Sequence, residues 1–425
     1  MQLALDIDNL ERAIKIAEES IDAGIDWIEV GTILIKSEGT KAIRTIKSTF
    51  PSKTIVADMK TMDTGKFEVE MAAKSGADIV IILGCADDTT IKEAVRAGKQ
   101  YGSKIMVDLI SVKNIVKRAK ELEKMSVDYI CIHVGIDQQM EGLNPLENVE
   151  VVKNEVTIPI AAAGGINSET AAKVHQAGAD IIIVGGAITK AVNCKVATEN
   201  IRKSIDDKKI IKSDLFKKYS DKELFDGFER VSCANLADAM HRKNVMENIR
   251  PITNVRKMIG KAVTVTTSPG DWAKPVEAID VADNESVIVI NSFGSEIAVW
   301  GELATNSCMK KNVRGVVIDG GVRDIEEIKE LPFPIYAKYV TPKAGEPKGF
   351  GEINSKITCG GVKVTSGDYI VGDQDGIIVI PKKRAKEILN RSLDVLEKEN
   401  RLREEIKRGS TLSKVLDLKR WEKIK

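Results

Sequence analysis

Aromatic residues are scarce, at 4% of the 425 residues, and no apolar run approaches the length of a helical membrane span, which takes roughly 20 residues. An excess charge of either sign is missing too. Lys+Arg 64 against Asp+Glu 63 leaves +1, so no bulk field would recruit nucleic acid or an anionic membrane. Few aromatics and a neutral balance together argue against direct RNA contact. Cysteine pairs are also absent: Cys85, Cys131, Cys194, Cys233, Cys308 and Cys359 stand singly. That pattern gives no metal-type motif and fits a reducing cytoplasm. The start, Met-Gln-Leu-Ala-Leu-Asp, enters a strand pattern directly and has no signal-peptide layout. A soluble cytoplasmic protein of two or three domains is expected from this length, with 43% hydrophobic and 30% charged residues.

What is present is a rhythm. Short apolar runs fall at 3–7, 27–31, 54–59, 78–83, 104–109, 129–134, 159–163 and 181–185, with amphipathic stretches between them. Runs of Val, Ile and Ala without polar alternation read as strands buried on both faces. Eight such β-then-α units predict a (β/α)8 TIM barrel over 1–205, with a doubly wound open sheet as the alternative. The charged stretch 206–218, including Asp206-Asp207-Lys208-Lys209, reads as a linker. From 219 to 425 the strands are less regular and the turns carry glycine and proline. The pattern predicts a second α/β domain with a mixed sheet or small β-barrel core. The last helix, 384–407, is strongly charged, which suits either a subunit interface or a solvated end.

In a barrel, function collects at the carboxyl ends of the strands. Those ends read Asp6, Glu29, Asp58 with Lys60 and Asp63, Asp108, His133, Gly164-Gly165 and Gly185-Gly186. Asp58-Met-Lys60-Thr-Met-Asp63 closes the apolar strand Thr54-Ile-Val-Ala-Asp58. Alternation puts Asp58 and Lys60 on one face, with Asp63 able to fold back from the loop. Two carboxylates around one ammonium can hold a divalent cation, neutralise an oxyanion and move a proton; a solvated strand end with a surface ion pair is the plain alternative. His133 ends a strand, a place for an acid–base group or for a structural histidine. Ala161-Ala-Ala-Gly-Gly-Ile166 and Ile183-Val-Gly-Gly-Ala187 follow strands seven and eight, where barrels commonly bind phosphate on glycine N–H groups.

Ala4-Leu-Asp6, Ile28-Glu29-Val-Gly-Thr32, Ala57-Asp58-Met-Lys60-Thr-Met-Asp63 and His133 resemble the 3-hexulose-6-phosphate synthases of the orotidine-monophosphate decarboxylase superfamily, over residues 1 to about 205. The resemblance implies a dimeric barrel, a Mg2+ ion and a sugar-phosphate substrate. The implied reaction is reversible aldol joining of formaldehyde to D-ribulose 5-phosphate, giving D-arabino-hex-3-ulose 6-phosphate. It implies Glu29 and Asp58 as metal ligands, Lys60 as steadying developing charge, and His133 as the general base with Asp63 nearby, supplied across the dimer interface. Asp6 would bond substrate hydroxyls, and Gly164, Gly165, Gly185 and Gly186 would hold the phosphate. The sister 3-keto-L-gulonate-6-phosphate decarboxylases carry an arginine shortly after the histidine. Here the chain reads His133-Val-Gly-Ile-Asp-Gln-Gln139, which favours the synthase. Relatives often carry arginine where Gly186 stands, so the expectation is weaker phosphate affinity, or compensation by another cation such as Lys190.

In the second half, Trp300-Gly-Glu302-Leu-Ala-Thr305 and Gly315-Val-Val-Ile-Asp319-Gly-Gly-Val-Arg323-Asp324 form the other cluster, with twenty residues between Glu302 and Arg323. An arginine beside a carboxylate after a buried strand can grip a carboxylate substrate while the aspartate binds a metal; a turn-closing ion pair is the alternative. With Gly270-Asp271 and the stretch from Gly367 to Gly376, residues 220 to 390 resemble the RraA-like family of ribonuclease E regulators and 4-hydroxy-4-methyl-2-oxoglutarate aldolases. The resemblance implies Arg323 as substrate-binding and Asp324 as a metal ligand, with Glu302 where aspartate is common. It also implies a trimer that borrows a glutamate from a neighbour's C-terminal region, for which Glu404 and Glu405 are candidates. A dimeric barrel joined to a trimeric domain closes as a hexamer. Two roles stand open for this half: a second lyase site, or a binding module that restrains a ribonuclease.

Overall fold

The computed structural model describes residues 1–213, 215–254, 257–416 and 418. Residue 214 of the expected linker, and residues 255, 256, 417 and 419–425 of the expected second domain, lie outside that set. The chain divides into two compact units. One is Met1–Lys218 with the described residues from Glu397 onward; the other is Tyr219–Leu396.

In the first unit the eight apolar runs become β1 (Gln2–Leu5), β2 (Trp27–Val30), β3 (Thr54–Thr61), β4 (Ile79–Leu83), β5 (Lys104–Asp108), β6 (Tyr129–His133), β7 (Ile160–Ala163) and β8 (Ile181–Val184). They close into a parallel barrel. Gln2 and Leu3 of β1 pair with Ile183 and Val184 of β8, a closure that rules out the open sheet. Both strand faces are buried, which is why the runs lack polar alternation. Leu3, Leu5, Ile28 and Val30 point outward into the layer shared with the helices. Ala4, Val56, Ile81, Met106, Cys131, Ala161 and Ile183 fill the lumen. The helices start where capping side chains allow. Asn9, Asp87 and Asn193 each accept a backbone N–H at the head of Leu10–Ile21, Asp88–Tyr101 and Cys194–Asp207, satisfying donors that a first turn leaves unpaired.

The second unit adds β9 (Arg250–Pro251), β10 (Met258–Thr267), β11 (Ser286–Trp300), β12 (Gly315–Val322), β13 (Ile335–Val340), β14 (Gly351–Ile353), β15 (Ile357–Cys359), β16 (Val362–Val364), β17 (Tyr369–Asp373) and β18 (Gly376–Ile380). A mixed sheet runs β18-β17-β10-β11-β12-β13-β9, with β14 beside β10 and β15–β16 as a separate pair. Strands β10 to β13 are parallel; β17 and β9 run against them, and β18, antiparallel to β17, runs with them. Strand β11 is long, 15 residues, and is not regular throughout. Register shifts between Asn291 and Trp300, with Phe293 and Gly294 at positive φ, break the apolar run but not the pairing.

The long helix Ala385–Lys407 is not a solvated end. Its later half groups with the barrel unit, and Arg401 is only 1% exposed. The Arg401 guanidinium donates to Ala191 O at 3.1 Å and to Glu405 at 3.0 Å, and it lies 3.4 Å from Glu19. Arg12 meets Glu405 at 3.0 Å. A buried guanidinium is tolerated because its donors are answered. Those contacts engage Glu405 within its own chain. Arg401→Ala is expected to lower the stability of the barrel unit by about 2 kcal/mol or more. The check is a several-degree drop in the barrel transition by scanning calorimetry of the intact chain.

Candidate active site

Alternation along the strands aims a second layer of side chains into the lumen above the apolar plug. Trp27, Val56, Met106 and Cys131 point inward, so Glu29, Asp58, Asp108 and His133, two residues further along, do likewise. The carboxylates are deeply set: Glu29 is 5% exposed, Asp58 3% and Asp108 2%. Beneath them Trp27 and Tyr129 stack edge to face at 5.6 Å, sealing the lumen against water from below.

Lys60 ties this layer together. Its Nζ lies 2.9 Å from Asp58 Oδ2 and 3.2 Å from Asp108 Oδ2. Asp108 Oδ2 also meets His133 Nδ1 at 2.7 Å, and its Oδ1 accepts the Ile110 N–H at 2.8 Å. Thr32 Oγ1 donates to Asp58 Oδ2 at 2.7 Å. Simple alternation is not what brings Asp58 and Lys60 together, contrary to expectation. Lys60 has φ +48°, and the β3–β4 register shifts between Asp58 and Thr61. A bulge with a left-handed residue returns the lysine over its own strand, at a backbone cost of about 1–3 kcal/mol.

Burial would lower the Lys60 ammonium, but the charges of Asp58 and Asp108 outweigh it and hold it protonated. For Asp108, burial pushes upward, yet the His133 hydrogen bond, the His133 and Lys60 charges and the Ile110 N–H hold its carboxyl below the usual range. Glu29 goes the other way. Burial first, then the charges of Asp58 and Asp6, push it well above the usual range, although Gln2 Nε2 donates to it at 2.5 Å. Asp6 opens to solvent at the mouth yet is crowded by protein, and burial followed by Asp58 raises it as well. Cys131 below is pushed far up by burial and then by Asp108, an inert thiol.

Glu29 and Asp6 are thus crowded by negative charge, and the hard oxygen donors of Glu29 and Asp58 suit a divalent cation of the magnesium type. Among the described residues no three His, Cys, Asp or Glu side chains converge into a ready-made cage. An ion held by Glu29 and Asp58 would complete its shell with water and substrate oxygens, as magnesium commonly does.

Asp63 is not brought in. It is exposed, and its Oδ1 accepts the Thr64 N–H at 2.7 Å. Gly164 and Gly165 follow β7 with φ +108° and +68°; a Cβ at Gly164 would sit 2.3 Å from Val134 O, so only glycine fits. Gly185 follows β8 beneath Asp6, and Gly186 opens the short helix Gly186–Thr189. Reading residues singly left Asp108 without a role, Thr32 as a motif member without one, and Gln2 outside the first apolar run. The signal for Asp108 was its place two residues past an inward Met106.

In the second unit the turn after β12 brings Glu302, Arg323 and Asp324 to Gly301. Asp324 Oδ2 accepts the Glu302 backbone N–H at 3.1 Å and lies 3.5 Å from Arg323 Nε. The Glu302 side chain turns instead to Asn306 Nδ2. A Cβ at Gly301 would lie 2.4 Å from Asp324 Oδ2. Asp271 is a backbone clamp, accepting N–H groups of Ala273, Lys348 and Phe350 at 3.0, 2.9 and 2.8 Å. Burial pushes it up, but those bonds hold it below the usual range.

Residues 1–201 match the family model of the orotidine 5'-phosphate decarboxylase / HUMPS family, and residues 233–379 match the RraA-like (Aldolase/RraA) model. The 3-hexulose-6-phosphate synthase of Bacillus subtilis is 45% identical over 194 residues, 45% of this chain and 92% of that protein. A solved 3-hexulose-6-phosphate synthase from Salmonella typhimurium is 36% identical over 49% of this chain and 98% of its own, with a TM-score of 0.48. The RNA-processing inhibitor RraA from Thermus thermophilis is 25% identical over 35% of this chain and 92% of its own, with a TM-score of 0.34.

The opposed environments of Glu29 and Lys60 give opposite expectations for stability. In EDTA, Glu29→Gln relieves crowded carboxylates and should raise the barrel's thermal midpoint by an amount equivalent to about 1 kcal/mol. Lys60→Met strands Asp58 and Asp108 and should lower it by about 2 kcal/mol after allowance for solvent screening. Calorimetry of both variants reads the sign directly.

Proposed function

Through its first unit the chain belongs to the 3-hexulose-6-phosphate synthase family, with an RraA-like domain after it, and on that premise we propose that the barrel reversibly condenses formaldehyde with D-ribulose 5-phosphate. The observation that carries the reading is the continuous Asp58–Lys60–Asp108–His133 chain on one rim. In its unprotonated form, with Nδ1–H donated to Asp108, His133 presents Nε2 as a base. His133 takes the proton from C1 of the pentulose. The resulting enediolate carbon forms the new bond to the formaldehyde carbon, and the protonated imidazole returns its proton to the new alkoxide. Lys60 faces the developing negative charge from a dry rim, where fixed cations act strongly. Asp6, pushed toward its protonated form, can both donate to and accept from sugar hydroxyls.

Glu29 and Asp58 are the proposed ligands of a Mg2+ ion, which when bound would lower the energy of negative charge on the sugar oxygens. Asp63 lies away from its own cluster, beside Met62 and Phe67, which are 54% and 67% exposed. These apolar neighbours support a role for Asp63 in the site of a partner barrel within a homo-oligomer. For the second unit we propose a carboxylate-binding site at Arg323 and Asp324. Mg2+-dependent pyruvate release from a 4-carboxylated 2-oxo acid by the intact chain is its test, and silence across a panel of such acids would favour a regulatory role.

The central assay is formaldehyde loss with ribulose 5-phosphate, with and without EDTA. Expected are hexulose-phosphate formation abolished by EDTA and no carbon dioxide from 3-keto-L-gulonate 6-phosphate. Asp58→Ala should remove both activity and Mg2+ dependence in a folded protein, and an active Asp58→Ala enzyme would refute the assignment. Asp108→Asn should lower kcat by about 10²–10⁴ by misorienting His133, with KM for the sugar little changed.

A further inference from the structure

The stretch from 209 to 218 lies past the last residue, 201, of the barrel family match, yet its described residues are built into the barrel unit. Ile211 exchanges hydrogen bonds with Ser168 just beyond β7: its N–H donates to Ser168 O at 3.1 Å, and its carbonyl accepts from Ser168 Oγ at 2.7 Å. The Ser213 N–H donates to Glu169 at 2.9 Å. Phe216 takes φ +56°, unusual for a bulky residue. Its backbone is gripped on both sides: its N–H donates to Glu397 at 2.5 Å, and its carbonyl accepts from Asn167 Nδ2 at 3.4 Å. An exposed linker has no reason to hold a phenylalanine 8% exposed in a left-handed conformation. Strain that the surroundings enforce is a mark of function.

The ring lands at the end of β8. A Cβ at Gly186 would lie 2.4 Å from Phe216 Cε2, so with this ring in place only glycine fits there. Two ammonium groups rest on the same ring: Lys218 Nζ at 4.4 Å and Lys190 Nζ at 5.3 Å from its centroid. Lys218 Nζ also lies 3.9 Å from Met140 Sδ, in the helix that follows His133. The segment thus reaches from the β8 end toward the β6 end, beside the positive-φ glycines after β7. Barrels commonly bind phosphate at the loops after strands seven and eight. An aromatic face is also a site that orders ammonium groups.

We propose that this strap completes the anion end of the barrel site, with Phe216 holding Lys190 and Lys218 so that both meet the phosphate of the sugar. The inference rests on the reading of the barrel as acting on a sugar phosphate, and it assigns Lys218 and the ring of Phe216, both beyond the 1–201 family match, to that end of the site together with Lys190 inside it. It requires the two lysines to act on the phosphate and on nothing else in the substrate.

The test compares ribulose 5-phosphate with unphosphorylated ribulose in the full-length protein, with formaldehyde and Mg2+ present. Lys218→Gln and Lys190→Gln should each lower the ratio of kcat/KM for the two sugars by about tenfold, the worth of one charge-assisted phosphate contact. The loss should appear in KM for ribulose 5-phosphate. Gly186→Ala, which pushes Phe216 aside without touching a charge, should lower the same ratio, and combining it with Lys218→Gln should add less than the product of the two. Calorimetric titration of ribulose 5-phosphate without formaldehyde separates the two readings. Binding weakened by Lys218→Gln in a protein that makes no hexulose phosphate would sink the aldol reading and keep the strap. Product formation with an unchanged ratio in both lysine variants would sink the strap and keep the aldol reading. A ratio that rises would show the strap to be an obstruction and overturn the proposal.

Discussion

One ammonium among crowded carboxylates is the constraint on which the barrel rim depends. Asp58 and Asp108 are nearly excluded from water, and each would be costly as a lone buried anion. Lys60 meets both. To do so it leaves regular strand geometry for a left-handed turn, so backbone strain is exchanged for charge compensation. The compensation is uneven. Asp108 ends with an excess of positive partners and a carboxyl held down, whereas Glu29 and Asp6 end with an excess of negative ones and are pushed up. One side of the rim is thus a settled acid–base pair and the other is short of a cation. A rim divided in this way has a place to move a proton and a place to receive charge.

Much of this arrangement was legible in the residue order, and for identifiable reasons. Parallel strands buried on both faces cannot alternate, so their apolar runs showed plainly, and β2, β3, β5 and β6 begin where those runs begin. Side chains two apart share a face, so an acid two residues beyond a lumen-filling Met106 or Val56 had to rise from the plug. What the order concealed were effects that depend on several segments at once. The bulge at Lys60 is set by pairing with β4, the orientation of His133 by a residue 25 positions away, and the failure of Asp63 to join by the turn at Thr64. Strands β9, β14 and β15 have two or three residues each, too short for any period to register.

The second unit shows what happens to acids when no shortage of cations is built in. Asp271 is saturated by backbone N–H groups. Asp368 accepts from Thr365 and Lys382, and Asp373 from Cys233 and Asp375. Each of these aspartates tightens a turn, and none needs an outside charge. Asp324 is intermediate: one oxygen holds the Glu302 N–H and approaches Arg323, at a turn only glycine allows at 301. At this motif Asp324 lies beside Arg323, and the Glu302 side chain turns to Asn306. An arginine beside a carboxylate suits recognition of a planar carboxylate.

Chain added after the barrel is not neutral packing either. Phe216 would be incompatible with any residue but glycine at 186, and Glu397, from the far end of the chain, fixes the backbone of Phe216. Arg401 and Glu405 in turn bind the helix carrying Glu397 to Ala191, Glu19 and Arg12, with Ala191 next to Lys190. Each contact alone is an ordinary hydrogen bond or ion pair of modest worth. Their order is what matters, because they lead from Phe216 through Glu397 and Arg401 to Ala191, in the segment that follows β8. In this chain a side chain at 186 must first move Phe216, and the lysines resting on its ring move with it.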